Sequence, residues 1–501
     1  MSLAIVHSRA RRGVQAPEVR VEVHLAGGLP CLSIVGLPEA AVRESKDRVR
    51  AAIQCAQLEF PARRITVNLA PADLKKHGGR FDLPIALGIL AASGQLPVDS
   101  LNDVECIGEL ALTGELREVD GVLPAAIASS RAGRQLLLPL ANAEEAALYP
   151  KARALGARTL SEALAHLSGR RRLATTTRET DAGHRDTTIP DLSDVRGQAR
   201  ARRALEIAAA GAHHLLLIGS PGCGKTMLAS RLPGILPPAT EDEAIEAAAV
   251  ASVSGRGLDV SRWRQRPFRA PHHGASSVAL VGGGPDPKPG EISLAHQGVL
   301  FLDELPEWHR HTLEALREPL ESGQVTISRA ARQAEFPARF QLVAAMNPCP
   351  CGWAGDSSGR CSCTPDQVQR YRGRLSGPLL DRIDLHVDVP RMTGHEISPD
   401  APRGESSAVV RERVVAARER ALQRCGVLNA RMDQRQTEQH CRLAPDDRKL
   451  LEQAMDRLNL SARAIHRILR SARTIADLDH SDAIATGHLG EAIGYRVIDR
   501  G

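Results

Sequence analysis

The chain has 501 residues, which is long enough for about three domains. Its formal net charge of +6 is compatible with a polyanionic partner but does not require one. No apolar run approaches the roughly 18 residues of a membrane span, and residues 1–13 are too few and too basic for a signal peptide. The ten cysteines form no secreted disulfide framework. We therefore expect a cytoplasmic protein with no membrane-spanning segment.

Residues 1–168 alternate between strand-like and helical stretches, which predicts an α/β or α+β domain. Strands are predicted at residues 19–24, 64–69 and 135–138, and helices at residues 40–57 and 83–93. Residues 169–190 contain hardly any apolar side chain, so they are predicted to form a linker.

Residues 191–392 repeat the order strand, helix, strand, helix, which predicts a doubly wound parallel sheet. Residues 393–501 are helical in pattern and rich in arginine. Between positions 403 and 473 there are 16 basic and nine acidic residues, either a solvated helical face or a surface for a polyanion. Ser461 is predicted to cap a helix that carries Arg463, Arg467 and Arg470 on one face.

A phosphate-binding loop lies between an apolar strand, residues 214–218, and the start of a helix at residue 227. Backbone N–H groups of the glycine-rich turn point at phosphates, the Lys225 ammonium adds a positive charge, and the Thr226 hydroxyl reaches Mg²⁺. We predict an ATP site here. Its residues are Gly219, Ser220, Pro221, Gly222, Cys223, Gly224, Lys225 and Thr226.

Two adjacent acids follow a second apolar strand, residues 298–302, about 80 residues after the loop. In phosphate-loop enzymes the first acid supports Mg²⁺, and a neighbouring carboxylate can deprotonate the attacking water. Asp303 is predicted to take the metal role and Glu304 the base role. The alternative is an ordinary polar strand end.

Two further polar residues extend this set. Asn347 follows the apolar strand at residues 340–346, where its amide can contact a γ-phosphate or the attacking water. Arg382 could reach the γ-phosphate of a neighbouring subunit as an arginine finger. Alternatively, Arg382 belongs to a surface ion-pair cluster with Asp381 and Asp384.

Together these features resemble an AAA+ ATPase. Residues 266–273, 290–296, 346–352 and 461–476 are similar to the magnesium-chelatase-like branch, and the resemblance runs nearly end to end with the bacterial YifB/ComM proteins. It implies a phosphate-loop AAA+ core with a helical C-terminal lid, and a homohexameric ring. It also implies roles for Asn347 as sensor 1, Arg382 as the finger in trans and Arg463 as sensor 2. The residues expected near adenine are Val195, Gly197 and Gln198.

The resemblance also implies that inserts in the core line a central pore. They are residues 270–289 and a hairpin with its first strand at residues 324–329 and its tip at residues 330–333. Arg329 and Arg332 would meet DNA phosphates, or they are solvated residues of the tip. ComM-like proteins are implicated in branch migration during natural transformation, so the resemblance points to a DNA-translocating ATPase that works with recombination proteins.

Two other functions remain open at this point. A chelatase-type motor would remodel a protein partner so that metal is inserted into a tetrapyrrole. A nucleotide-gated scaffold would recruit recombination proteins without translocation. Stimulation of ATP hydrolysis by DNA distinguishes the motor from both.

The first domain resembles the module found in Lon and RadA. Lon proteases need a nucleophilic serine and an activating lysine. Residues 79–84 and 121–126, where these groups should fall, contain neither. We expect a non-proteolytic domain that serves binding or ring assembly.

Four cysteines form two Cys-x-Cys pairs in a polar, glycine-containing loop, namely Cys349, Cys351, Cys361 and Cys363. Four thiolates around Zn²⁺ would stabilise a loop that has no apolar core of its own. The usual zinc spacing is Cys-x₂-Cys, so four reduced thiols are the alternative.

Overall fold

The computed structural model describes residues 2–178, 189–329, 332–356, 359–392, 402–458 and 460–496. Residues 179–188 of the predicted linker and residues 330 and 331 at the predicted hairpin tip lie outside these ranges. Among the described helices, none is both long and apolar enough to cross a membrane.

The first 176 residues build an eight-stranded mixed sheet in the order β10-β9-β8-β5-β1-β2-β4-β3. Its strands and the small β6–β7 ladder are β1 Ser2–Arg9, β2 Glu18–Ala26, β3 Cys31–Val35, β4 Arg64–Ala70, β5 Val104–Cys106, β6 Glu109–Leu110, β7 Leu116–Arg117, β8 Gln135–Pro139, β9 Ala154–Ala157 and β10 Thr175–Thr176. The helices are α1 Ala40–Cys55, α2 Asp82–Ala92, α3 Val122–Arg131, α4 Ala143–Ala146 and α5 Leu160–Leu167.

In the inner strands β2 and β4 of this sheet, buried side chains alternate with partly exposed ones. Val19, Val21 and Val23 are fully buried while their neighbours are partly exposed, as expected for a strand with one face on a core. Helix α2 covers that core and is buried along its whole length. The short β10 strand pairs with β9, so part of the predicted linker belongs to the sheet.

The second domain is built around a five-stranded parallel sheet in the order β12-β15-β18-β11-β19. The strands here are β11 Leu215–Ile218, β12 Phe268–Arg269, β13 Gly282–Gly283, β14 Lys288–Pro289, β15 Val299–Leu302, β16 Gln324–Arg329, β17 Arg332–Pro337, β18 Gln341–Met346 and β19 Leu385–Asp388. The helices are α6 Ala199–Gly211, α7 Lys225–Ile235, α8 Glu241–Ser252, α9 Ser277–Val281, α10 Glu291–Leu294, α11 Arg310–Glu314, α12 Arg317–Ser322, α13 Pro365–Arg372 and α14 Gly377–Leu380.

Apolar residues bury both faces of the parallel sheet, which is why its strands read as continuous apolar runs. Every residue of β15 and of β18 is buried. The predicted doubly wound α/β core is therefore confirmed.

The C-terminal region is helical, with α15 Ser407–Cys425, α16 Gln434–His440, α17 Pro445–Leu458, α18 Ala462–Leu478 and α19 Thr486–Gly494. Its apolar side chains, such as Val414 and Ile475, belong to the same buried cluster as Leu205 and Leu228 of the core. The Ser461 hydroxyl accepts from the backbone N–H of Ala464 at 3.2 Å, which confirms the predicted helix cap.

The first domain contacts both predicted inserts of the core. In the β1–β2 turn, Arg11 forms an ion pair with Asp286 of the first insert. A Cβ at Gly13, whose φ is 57°, would lie a tight 3.1 Å from the backbone carbonyl oxygen of Glu335 in the hairpin. Val14 packs against the apolar cluster that holds the hairpin. The first domain therefore lies close enough to affect the position of both inserts.

Candidate functional site

The phosphate-binding loop begins where β11 ends and continues into α7. Gly222 and Gly224 adopt φ values of 76° and 94°, which glycine reaches without strain. Lys225 opens the helix and is 8% exposed. Its ammonium donates to the carbonyls of Gly219 at 2.7 Å and Ser220 at 3.0 Å. The loop thus surrounds the ammonium that is predicted to bind phosphate.

The two predicted acids lie next to this loop. The Thr226 hydroxyl donates to Asp303 Oδ2 at 2.8 Å, so the two predicted Mg²⁺ ligands already touch. Asp303 Oδ1 accepts from the backbone N–H of Glu304 at 2.8 Å. Glu304 has a φ of 50°, a left-handed conformation that is uncommon for a residue with a side chain and tends to occur at functional sites.

Asn347, at the end of β18, lies next to the phosphate-binding loop and the two acids. Its Oδ1 accepts from Lys225 Nζ at 3.1 Å. The register explains the convergence: Leu217 pairs with Ala345, and Leu302 pairs with Ala344. Since the carboxyl ends of parallel strands meet at one edge, the loop, the acids and Asn347 come together there.

The three residues expected near adenine precede α6. Val195 is fully buried, and Gly197 has a φ of 58°. The Gln198 side chain donates through Nε2 to the Pro390 carbonyl at 2.7 Å. Its Oε1 is buried and accepts no hydrogen bond from the described residues. A buried acceptor without a donor suits an amino group such as the one on adenine.

The two predicted arginines lie elsewhere. Arg382 precedes β19, which runs parallel to β11, and the Asp384 N–H bonds to the His214 carbonyl at 3.1 Å. Arg382 is therefore at the amino edge of the sheet, while Ser220 is beyond the carboxyl edge. Six residues of extended chain from position 214 to 220 span about 20 Å. An arginine side chain at that edge does not reach the phosphate-binding loop of its own chain.

Arg463 lies with Arg382, and both contact Glu321. Glu321 Oε1 is 2.7 Å from Arg382 Nη2 and 3.2 Å from Arg463 Nη2. The alternative prediction places Arg382 in an ion-pair cluster with Asp381 and Asp384. The structure differs from it, because Asp384 pairs with Arg467 at 2.5 Å. Sequence analysis missed Glu321, since nothing in its spacing relates it to either arginine.

A residue that sequence analysis placed only in the pore-lining insert at residues 270–289 lies beside the predicted base. His273 Nδ1 is 2.9 Å from Glu304 Oε2. Strands β12 and β15 are parallel neighbours, so the segments that follow them meet at the carboxyl edge. The contact between His273 and Glu304 could not be predicted without knowing the order of the strands in the sheet.

Comparison with known proteins agrees with this geometry. The family model for magnesium chelatase, subunit ChlI, matches residues 191–397, and models for the ChlI subunit and its C-terminal region match residues 21–142 and 404–496. Competence protein ComM of Haemophilus influenzae is 53% identical over 503 residues, covering 100% of this chain and 98% of its own. The YifB protein of Salmonella typhimurium is 53% identical over 500 residues with the same coverage.

The chain belongs to the magnesium-chelatase-like ComM/YifB family. A protein of Mycobacterium tuberculosis, Rv2897c, is also similar, at 42% identity over 503 residues and 99% of each chain. This membership and the phosphate-binding loop identify an AAA+ ATPase of the magnesium-chelatase type.

In this family member, the residues present fit ATP and Mg²⁺. The unpartnered Gln198 Oε1 fits an adenine amino group, and the hydroxyl and carboxylate of Thr226 and Asp303 are oxygen ligands of the kind Mg²⁺ prefers. Bound there, the metal would offset charge on the phosphates.

The four predicted zinc ligands come together in the loop after Asn347. All four sulfurs lie within 4.8 Å of one another. Cys349 Sγ is 3.3 Å from Cys351 Sγ and 3.8 Å from Cys361 Sγ. Four sulfurs at about 2.3 Å from a tetrahedral zinc are about 3.8 Å apart, so the cluster has the right size for this metal. Backbone N–H groups of Trp353 and Ser362 lower the pKa of Cys351 to about 6, which favours its thiolate. At Cys361 and Cys363, by contrast, a backbone hydrogen bond is outweighed by burial and the neighbouring sulfurs, which raise the pKa values of both thiols.

The cysteine loop also packs on the nucleotide site. A side chain at Gly352 would run into the ring of Pro221 in the phosphate-binding loop. The guanidinium groups of Arg360 and Arg391 lie 5.2 Å and 5.8 Å from the Trp353 ring. The cysteine loop therefore contacts the phosphate-binding loop where Gly352 meets Pro221.

Residues 79–84, the segment where the resemblance to Lon proteases would place a serine, contain the acid Asp82. Asp82 is fully buried at the start of α2, and it accepts from Ser45 Oγ at 2.5 Å and Arg48 Nε at 2.7 Å. Burial raises the pKa of Asp82 against the opposing effect of these donors. A buried, fully bonded carboxyl group is not a nucleophile for peptide cleavage.

Proposed function

We propose that this AAA+ ATPase is a homohexameric ring motor that acts on DNA, as a helicase or branch-migration factor in recombination or natural transformation. The observation that carries the proposal is the separation of two half-sites. The phosphate-binding half lies at the carboxyl edge of the sheet, and Arg382 and Arg463 lie at the amino edge. A ring joins the halves of neighbouring chains.

Each residue then has a defined task in hydrolysis. Lys225 binds the phosphates, and Thr226 and Asp303 would hold Mg²⁺, which would offset the charge of the phosphates. Glu304 takes a proton from the attacking water, and Asn347 positions that water or the γ-phosphate. Arg382 and Arg463 of the adjacent subunit stabilise charge that develops on the transferred phosphoryl group.

Three features support DNA as the substrate. In the β16–β17 hairpin, the backbone of Arg329 pairs with that of Arg332 at the last described position of the ladder. The C-terminal region is strongly basic between positions 403 and 473. The relative from Haemophilus influenzae is named as a competence protein.

We further propose a division of labour along the chain. Residues 1–168 form a non-proteolytic domain that supports the inserts, residues 169–190 connect it to the ATPase core at residues 191–392, and residues 393–501 form the lid. Structural zinc on the four cysteines would hold the loop beside Pro221. The protein would act in the cytoplasm, and recombination proteins are its expected partners.

The test is ATP hydrolysis and strand displacement by the purified protein with forked and three-stranded DNA. We expect DNA to stimulate hydrolysis, and ATP but not a non-hydrolysable analogue to support displacement, with Lys225→Ala inactive in both assays. A chelatase-type motor would hydrolyse ATP without a response to DNA. A scaffold would bind DNA and displace no strand.

A further inference from the structure

We propose that Glu321 is a positioning residue that holds Arg382 inward, pairs with the more exposed Arg463, and links both arginines to the β16–β17 hairpin. This inference rests on the proposed function, since it concerns the two arginines assigned to a neighbouring ATP. The geometry that points to it is one carboxylate oxygen shared by two guanidinium groups.

Arg382 is held in place by this contact. Its side chain is 6% exposed, against 44% for Glu321. Nη1 donates to the Pro378 carbonyl at 2.5 Å, and Nη2 contacts Glu321. Nε is buried and has no hydrogen-bond partner among the described residues. To contact a phosphate on another subunit, the guanidinium has to move outward and leave Glu321.

Arg463 depends on the same oxygen. Its Nη2 and that of Arg382 are at most about 6 Å apart, because both contact Glu321 Oε1, and two positive charges at this distance repel. The carboxylate offsets that repulsion. A γ-phosphate would do the same with more negative charge, and it would repel Glu321. Glu321 and phosphate therefore compete for the same pair of arginines.

The position of Glu321 in the chain connects this competition to the hairpin. Glu321 lies in α12, and Gly323 separates that helix from β16. The Ser322 hydroxyl accepts from the Gln324 N–H at 3.1 Å and donates to the Glu318 carbonyl at 3.0 Å. The Ala338 N–H bonds to the Gly323 carbonyl at 2.8 Å, which closes the hairpin base.

The hairpin can pass a displacement to its base because one face is firmly packed. Val325, Ile327 and Phe336 are nearly fully buried in the cluster below the sheet. This packing joins the hairpin, its base and the following sheet residues into one connected unit, so a load on the hairpin would bear on the base and on Glu321 beside it. DNA bound by the hairpin would in this way release Arg382 and Arg463 toward the adjacent ATP.

The test compares steady-state ATP hydrolysis by the wild-type full chain and by the Glu321→Gln variant. Each protein is measured with and without a single-stranded oligonucleotide. We expect the DNA-free kcat to rise by about fivefold or more with little change in KM, and the fold stimulation by DNA to fall accordingly. Glu318→Gln is the matched control, because it removes a carboxylate from an exposed position of the same helix and should behave as wild type.

A double variant shows whether the effect passes through the finger. On an Arg382→Ala background, Glu321→Gln should change nothing. A DNA-free rate that stays at or below wild type, or a gain that persists without Arg382, would overturn the inference. Failure of the proposed function looks different, because wild-type hydrolysis would then ignore DNA while the DNA-free rate of Glu321→Gln still reports on the arginines.

Discussion

His273 Nδ1 lies 2.9 Å from Glu304 Oε2, so the insert that follows β12 contacts the proposed catalytic base. The His272 ring packs on the His273 ring with 4.1 Å between their centroids. Among the described contacts, His272 has no hydrogen bond or ion pair with Glu304. His273 thus links the insert to the base through a polar contact.

From this contact we expect His273→Ala to lower kcat by about tenfold with little change in the KM for ATP, because the Glu304 carboxylate loses the partner that orients it. His272→Ala is the control and should retain most of the turnover. Equal rates for wild type and His273→Ala in steady-state hydrolysis would remove His273 from any role in positioning Glu304.

Replacement of the base itself should separate binding from chemistry. Glu304→Gln keeps the shape of the side chain but accepts no proton, so turnover should fall by about a hundredfold or more while ATP binding is retained. Equilibrium binding of a fluorescent ATP analogue and single-turnover hydrolysis measure the two effects. Near-normal turnover would show that another group activates the water.

The cysteine cluster gives a prediction about metal. Protein expressed with sufficient zinc should contain about one equivalent per chain, measured by elemental analysis. Cys361→Ser should lose the metal and bind ATP more weakly, because the loop packs on Pro221 through Gly352. Cys55→Ser, at an exposed cysteine outside the cluster, is the control. Metal-free wild type would leave four reduced thiols.

A buried ion pair connects the core to the lid. Burial alone would raise the pKa of Asp384, but Arg467 and His213 hold it well below its usual value. Arg467→Ala leaves this carboxylate without its main partner, so the free energy of unfolding should fall by about 3 kcal/mol. Lys449→Ala breaks an exposed pair with Asp446 and should cost less than about 0.5 kcal/mol.

The sign of the pH effect follows from the lowered pKa of Asp384. Its ionisation stabilises the fold at every pH above the unfolded value of about 4, and this contribution is lost only as pH falls through the lower folded pKa. The loss caused by Arg467→Ala should therefore be constant from about pH 6 to about pH 8 in chemical denaturation. A loss confined to one end of that range would assign it to another group.

Local patterns were sufficient to predict the elements that carry the nucleotide site. The strand predicted at residues 340–346 is observed as Gln341–Met346, and the strand predicted at residues 214–218 as Leu215–Ile218. Motif residues such as Lys225 and Asn347 follow apolar strands, and the carboxyl ends of parallel strands meet. Their contact at 3.1 Å agrees with that expectation.

Contacts between distant segments were not predictable in the same way. Glu321 meets Arg463 across 142 positions, and nothing in either local pattern relates the two. The turn at Arg11 and Gly13 reaches the inserts only because the two sheets pack as they do. Such pairs depend on packing between layers rather than on periodicity, so they required three-dimensional coordinates.

The central claim is that one ATP is hydrolysed by residues of two subunits, and complementation measures this most directly. Lys225→Ala and Arg382→Ala should each be nearly inactive alone, since each lacks one half of every site. Mixed in varying ratios, they should recover part of the wild-type ATP hydrolysis, because some interfaces then combine an intact Lys225 with an intact Arg382. An absence of recovery at every ratio, in mixtures shown to assemble together, would contradict the shared site.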